Sequence, residues 1–218
     1  MSRDLPYPKK PIVPYERGMM DRATIEVMRG CIRGCRFCQA GQLYRPVRER
    51  SLEVLKEYAE ELILNTGHEE ICLSSLSSSD YSGLEELLLF LIDECDAKKI
   101  NISLPSLRID QFSLDVMNKV QDVKKSSLTF AAEAGSQRLR NVINKGLTEE
   151  DILGGARLAF EGGWNKVKLY FMLGLPTETD EDIKEIGRLC NEIAKTYFDT
   201  VPKEKRGGQK IQITASTS

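Results

Sequence analysis

Six short apolar runs, each followed by a stretch of different periodicity, leave this chain few ways to fold. The runs fall at residues 24–28, 70–74, 100–104, 127–131, 166–172 and 211–215. Between them apolar residues recur at three- and four-residue spacing, the mark of helices with one buried face. Leu55, Tyr58, Ala59, Leu62 and Ile63 share such a face, with Ser51 placed to cap the helix. Further helices are expected over 83–95, 111–120 and 181–197, the last with Ile183, Ile186, Cys190, Ile193 and Ala194 on one side. Another starts after Thr148, whose followers Glu149, Glu150 and Asp151 suit a positive first turn. Strands alternating with helices build βα units around a parallel sheet. Crossovers are right-handed, so the α/β sheet is doubly wound or a partial barrel. In either case function belongs to the loops after the C-terminal strand ends.

Composition removes other classes. The chain is 41% hydrophobic and 29% charged over 218 residues, enough for a packed core. Its longest apolar run, residues 87–92, is far shorter than the ~20 residues of a membrane span. No stretch has the order of a signal peptide, and the expectation is a cytoplasmic protein without a membrane partner. Net charge is −2, so the surface as a whole is no polyanion binder. Four of the eight prolines, Pro6, Pro8, Pro11 and Pro14, crowd the start. They point to a linker or extension over 1–22, with one core domain over 23–218 and neighbouring domains at both ends.

Cys72, Cys95 and Cys190 stand alone in apolar surroundings and read as small buried residues. Cys31, Cys35 and Cys38 lie together, in C-x3-C-x2-C spacing just after the first apolar run. Three adjacent thiolates suit an iron–sulfur cluster or zinc. A structural zinc asks for a fourth protein ligand. The sole histidine, His68, is 30 residues beyond Cys38 and reads as a helix-end residue.

With Phe37 before the last cysteine and a strand before the first, the segment resembles the radical S-adenosylmethionine (SAM) superfamily. The resemblance implies a (β/α)6 partial TIM-type barrel with one [4Fe-4S] cluster on Cys31, Cys35 and Cys38. It also implies reductive cleavage of SAM to methionine and a 5′-deoxyadenosyl radical, with an electron donor such as flavodoxin or ferredoxin.

Motifs after later strands extend the likeness. Ser74 and Ser75 fall in the loop that meets the SAM amino group, with Ser75 where related enzymes carry glycine. A Ser-rich loop also caps helices by itself. Ser106 and Arg108 occupy positions of polar SAM contacts. The run from Glu133 to Ser136 is similar to the E-x-G-S segment of methylthiotransferases, which implies that Glu133 binds the ribose hydroxyls. Lys145 matches a basic residue that pairs with the SAM carboxylate; alone, it reads equally as a charge at a helix C-terminus. The turn from Gly174 to Glu178 resembles one lying against the adenine, and residues 213–216 would offer it backbone groups. Tyr170 stands where some relatives have an acid.

From Arg29 to Arg50 inclusive there are six arginines, one acid and no lysine. Arginine forks bind phosphate and carboxylate, which fits an anionic substrate such as RNA; they also pair with acids and backbone. The wording of residues 29–50 resembles bacterial radical SAM proteins with a cobalamin-binding domain before the barrel, so cobalamin is expected through a domain outside this chain. Methyl or methylthio transfer to RNA or protein is the reaction this implies. Two other readings stay open: a nucleic-acid-binding module with a structural metal or cluster, and a folded core inactive without its neighbours.

Overall fold

The structure, a computed structural model, describes residues 1, 6–16, 18, 21–103, 128–206 and 210–218. Ser106, Arg108, Ser127 and the helix expected over 111–120 lie outside the described residues. The described chain falls into two compact units. One holds the chain to Ile32 and from Ala40 through Ser103; the other holds Arg33–Gln39 and the chain from Leu128 to Ser218.

In the first unit, strand β1 (Ala23–Glu26) lies parallel to β4 (Glu70–Ser74), which lies parallel to β5 (Asn101–Ser103). Register sets Ile25 against Leu73 and Cys72 against Ser103. Helices α2 (Leu52–Thr66) and α3 (Leu84–Asp96) make the connections. Ile25, Leu55, Leu73, Leu87 and Leu91 are wholly buried, each side chain contributing roughly 1.5–3 kcal/mol. Ser51 does occupy the N-cap of α2, but its hydroxyl makes no capping bond. The left-handed Gly67 ends that helix, and His68 beyond it pairs with Asp21 at 3.0 Å.

The first strand is shorter than expected. It stops at Glu26, and after Val27 a two-residue strand β2 (Met28–Arg29) pairs antiparallel with β3 (Arg48–Glu49). That ladder closes the neck of the segment carrying the three cysteines and the short helix α1 (Gln39–Leu43). Gly30 sits at the neck with φ of 92°, where a Cβ would lie 2.7 Å from the Tyr44 carbonyl. The proline-rich start has no regular element over 6–16. It is moored on α2: Tyr7 stacks on Tyr58 at 4.4 Å, and Lys9 reaches Glu57 and Glu61 at 2.9 Å each.

The second unit repeats the pattern with parallel strands β6 (Leu128–Glu133), β7 (Lys166–Phe171) and β8 (Gln212–Thr217). Between them come α4 (Gln137–Val142), α5 (Glu149–Glu161) and α6 (Asp180–Thr200). Phe130, Val167, Leu169 and Phe171 pack on Ile152, Phe160, Leu189 and Ile193. Alternation along β7 leaves Lys168 and Tyr170 on the face away from these helices. Capping boxes open α5 at Thr148 and Asp151 and α6 at Thr179 and Asp182. Cys72 and Cys95 are buried as expected; Cys190 is only partly so. Burial pushes all three thiols up, Cys95 to about 11.

Candidate functional site

The C-terminal end of β6 carries the most constrained chemistry. Register with β7 shifts between Ala131 and Glu133, and Glu133 takes the left-handed φ of 66°. A non-glycine residue held so costs of order 1–3 kcal/mol, strain that clusters where a side chain must be aimed. Its carbonyl accepts from Met172 N at 2.8 Å, tying the end of β6 to that of β7. Its carboxylate accepts from Lys145 Nζ at 3.1 Å, with side chains 16% and 10% exposed. Lys145 is therefore no solvated helix-end charge. It follows α4 by three residues, in the turn formed by left-handed Asn144 and Gly146.

That turn also grips the cysteine segment. Arg36 N donates to Ile143 O at 2.9 Å, and Asn144 Nδ2 donates to Gly34 O at 2.9 Å. The Arg36 guanidinium reaches Val142 O. Cys38 N bonds back to Cys35 O at 3.1 Å, folding the C-x2-C into a tight turn. Phe37, 38% exposed, lies at its tip with Lys145 Nζ 5.9 Å from its ring centroid. Cys35, Phe37 and Cys38 thus share one unit with Glu133 and Lys145.

The turn after Glu133 is held from three sides. A Cβ on Gly135 would stand 2.3 Å from Ile186 N, so only glycine lets this backbone approach α6. Ser136 caps α4 by accepting from Leu139 N at 3.1 Å while donating to Asp182. Arg138 also grips Asp182, and this guanidinium with the Ser136 hydroxyl holds the carboxyl well below the usual range. Arg140, wholly buried, donates to the carbonyls of Ala134, Gly135 and Leu147. Reading the sequence misses Asp182, Arg138 and Arg140. Asp182 carried a signal in the T-x-x-D spacing after Thr179; the arginines carried none.

The other expected residues are placed as follows. Cys31, Cys35 and Cys38 are partly buried and none of the six cysteines forms a disulfide. Among the described residues no three His, Cys, Asp or Glu side chains are arranged to hold a metal ion. The donor set itself, three thiols within eight residues on a pinned segment, suits iron–sulfur ligation. Ser74 O accepts from Val27 N at 3.1 Å. Ser75 Oγ meets Ser78 Oγ at 2.9 Å and accepts from Ser77 N at 3.2 Å, so it serves its own turn. Gly174, with φ of 76°, is exposed, and its N–H donates to Glu178 at 2.6 Å. Ser106 and Arg108 lie outside the described residues.

Several of the arginines are engaged locally. Arg29 forks onto Glu26 at 2.9 and 2.7 Å, Arg45 donates to Gly41 O and Arg48 to Tyr44 O. Arg50 is buried over the rings of Tyr7 and Tyr58.

The model of the Radical SAM superfamily matches residues 25–190. An uncharacterised protein of Methanocaldococcus jannaschii is 43% identical over 78% of this chain and 37% of its own length. A tRNA-2-methylthio-N(6)-dimethylallyladenosine synthase of Clostridium botulinum is 26% identical over 83% of the chain and 41% of its length. The chain thus spans under half the length of these relatives. Among solved structures, the radical SAM methyltransferase TsrM from Kitasatospora setae, bound to tryptophan and a SAM analogue, superposes with a TM-score of 0.63 at 17% identity. The match covers 79% of this chain and 34% of TsrM and shows a shared fold. TsrM has also been solved with cobalamin and a [4Fe-4S] cluster.

Proposed function

Because the chain belongs to the radical SAM superfamily, we propose that it is the SAM-cleaving core of an enzyme, with Cys31, Cys35 and Cys38 as ligands of one [4Fe-4S] cluster. When bound, the cluster supplies the electron that breaks the C5′–S bond of SAM. The chain's own residues bind, orient and shield. Lys145 offers its ammonium to the SAM carboxylate and Glu133 accepts from the ribose hydroxyls. The family resemblance adds Phe37 on the cluster side and further SAM contacts at Ser74, Ser75, Gly174 and, outside the described residues, Ser106 and Arg108. The observation that carries this reading is the Glu133–Lys145 pair at 3.1 Å beside Phe37 of the C-x2-C turn.

The likeness to a tRNA methylthiolating enzyme and to the fold of TsrM favours methyl or methylthio transfer, to RNA or protein. We assign 23–218 to the core and 1–22 to an extension moored on α2, with cobalamin held by a domain outside the chain. The proposal includes an electron donor such as flavodoxin or ferredoxin and a cytoplasmic setting. No helix among the described residues is long and apolar enough to cross a membrane. The test is anaerobic. The chain is reconstituted with iron and sulfide, reduced with dithionite and given SAM, and 5′-deoxyadenosine is sought by mass spectrometry. Its appearance supports the reading; a full cluster with neither SAM binding nor deoxyadenosine overturns it.

A further inference from the structure

Arg140 is the largest of the wholly buried side chains among the described residues, with 0% exposure. Its Nη1 donates to Ala134 O at 3.0 Å and to Gly135 O at 2.8 Å. Its Nε donates to Leu147 O at 3.3 Å and its Nη2 to Gln137 Oε1 at 3.1 Å. Its own carbonyl accepts from Lys145 N at 2.9 Å. Ala134 and Gly135 directly follow Glu133, and Leu147 stands two residues after Lys145. One guanidinium therefore ties together the two chain segments that carry the ion pair.

Packing does not account for this choice. Burial of the charge pulls the Arg140 pKa down, with Glu149 opposing at longer range and Arg188 adding to the effect. A methionine or leucine would fill the volume without the desolvation cost. What a guanidinium adds is a rigid planar fork, which fixes several carbonyls relative to one another. Ser136 and Arg138 fix the same turn through Asp182 on its other side, and Gln137 braces the fork by donating to Leu147 O at 3.1 Å.

We propose that Arg140 is a positioning residue for SAM: its fork sets the separation and aim of the Glu133 carboxylate and the Lys145 ammonium. The inference rests on the reading of that pair as SAM contacts. A ligand gripped at two ends is sensitive to small errors in spacing, and displacements of ~1 Å cost up to ~100-fold at such sites.

The experiment compares Arg140→Met, Arg140→Ala and Lys145→Met with the parent chain after anaerobic reconstitution. SAM affinity is measured by equilibrium dialysis, iron per chain by colorimetry and folding by urea titration. Arg140→Met is expected to keep its iron and fold while binding SAM about tenfold or more weakly. Arg140→Ala is expected to regain affinity with ethylguanidinium and not with propylammonium, a distinction that simple filling of space would not make. Normal SAM affinity in folded Arg140→Met, with Lys145→Met impaired, overturns the role of Arg140 alone. Normal affinity in Lys145→Met overturns the assignment of the pair and the proposal with it. If the shortened variants do not fold, Arg140→Lys decides: it keeps the charge without the fork, and parental affinity there overturns the proposal.

Discussion

Glu133 and Lys145 are twelve positions apart, yet their side chains meet inside the second unit. Glu133→Gln leaves a nearly buried ammonium facing a neutral amide. It is expected to cost about 1–3 kcal/mol in urea titration, and combining it with Lys145→Met should cost less than the sum of the two. Gly135→Ala forces a methyl group against the backbone of α6. A loss of about 1–3 kcal/mol or more is expected, with the C-x2-C segment untouched. Both members of the pair were legible in the sequence through their likeness to a family motif. Arg140 was not, because an arginine on a short polar helix reads as solvent-facing until the turn around it is seen. Ser75 was legible as a loop residue, but its hydroxyl turns to Ser77 and Ser78, the local bonding open to any Ser-rich loop.

At the scale of elements, the ends of α4 and α6 meet on one carboxylate. Asp182 closes the Thr179 capping box, accepts from Ser136 and binds Arg138. Its pKa is depressed in the folded chain, so its contribution to stability is complete above the unfolded value near ~3.9 and is lost as pH falls through the folded one. Urea midpoints taken from pH 6 down to pH 3 should therefore fall in the parent and fall less in Asp182→Asn, which has no proton to take up. Long elements with clean periodicity, α2, α3, α5 and α6, were legible within a few residues. The β2–β3 ladder and the six-residue α4 were not, since two residues show no period and six show less than two turns. The first strand was drawn too long because Val27 and Met28 are buried as a strand would have them, although the pairing with β4 ends at Glu26.

Among the described residues the apolar runs give the parallel triplets β1-β4-β5 and β6-β7-β8, with helices joining successive strands within each. Burial also divides its six thiols. In the iron-free chain at mild alkaline pH, iodoacetamide should label Cys31, Cys35 and Cys38 well before the buried Cys72 and Cys95, as peptide mass spectrometry would show. Reconstitution should protect the first three and supply about four irons per chain; Cys35→Ala should hold far less iron. At rest the two charges of the Glu133–Lys145 pair answer each other. Under the proposed assignment to SAM they form, in the language of logic, a two-input gate. A visitor with only an anion satisfies the lysine and strands a carboxylate; a visitor with only hydroxyls does the reverse. Free methionine and free adenosine each present one input. A molecule joining an amino-acid carboxylate to a ribose presents both, and the gate passes it.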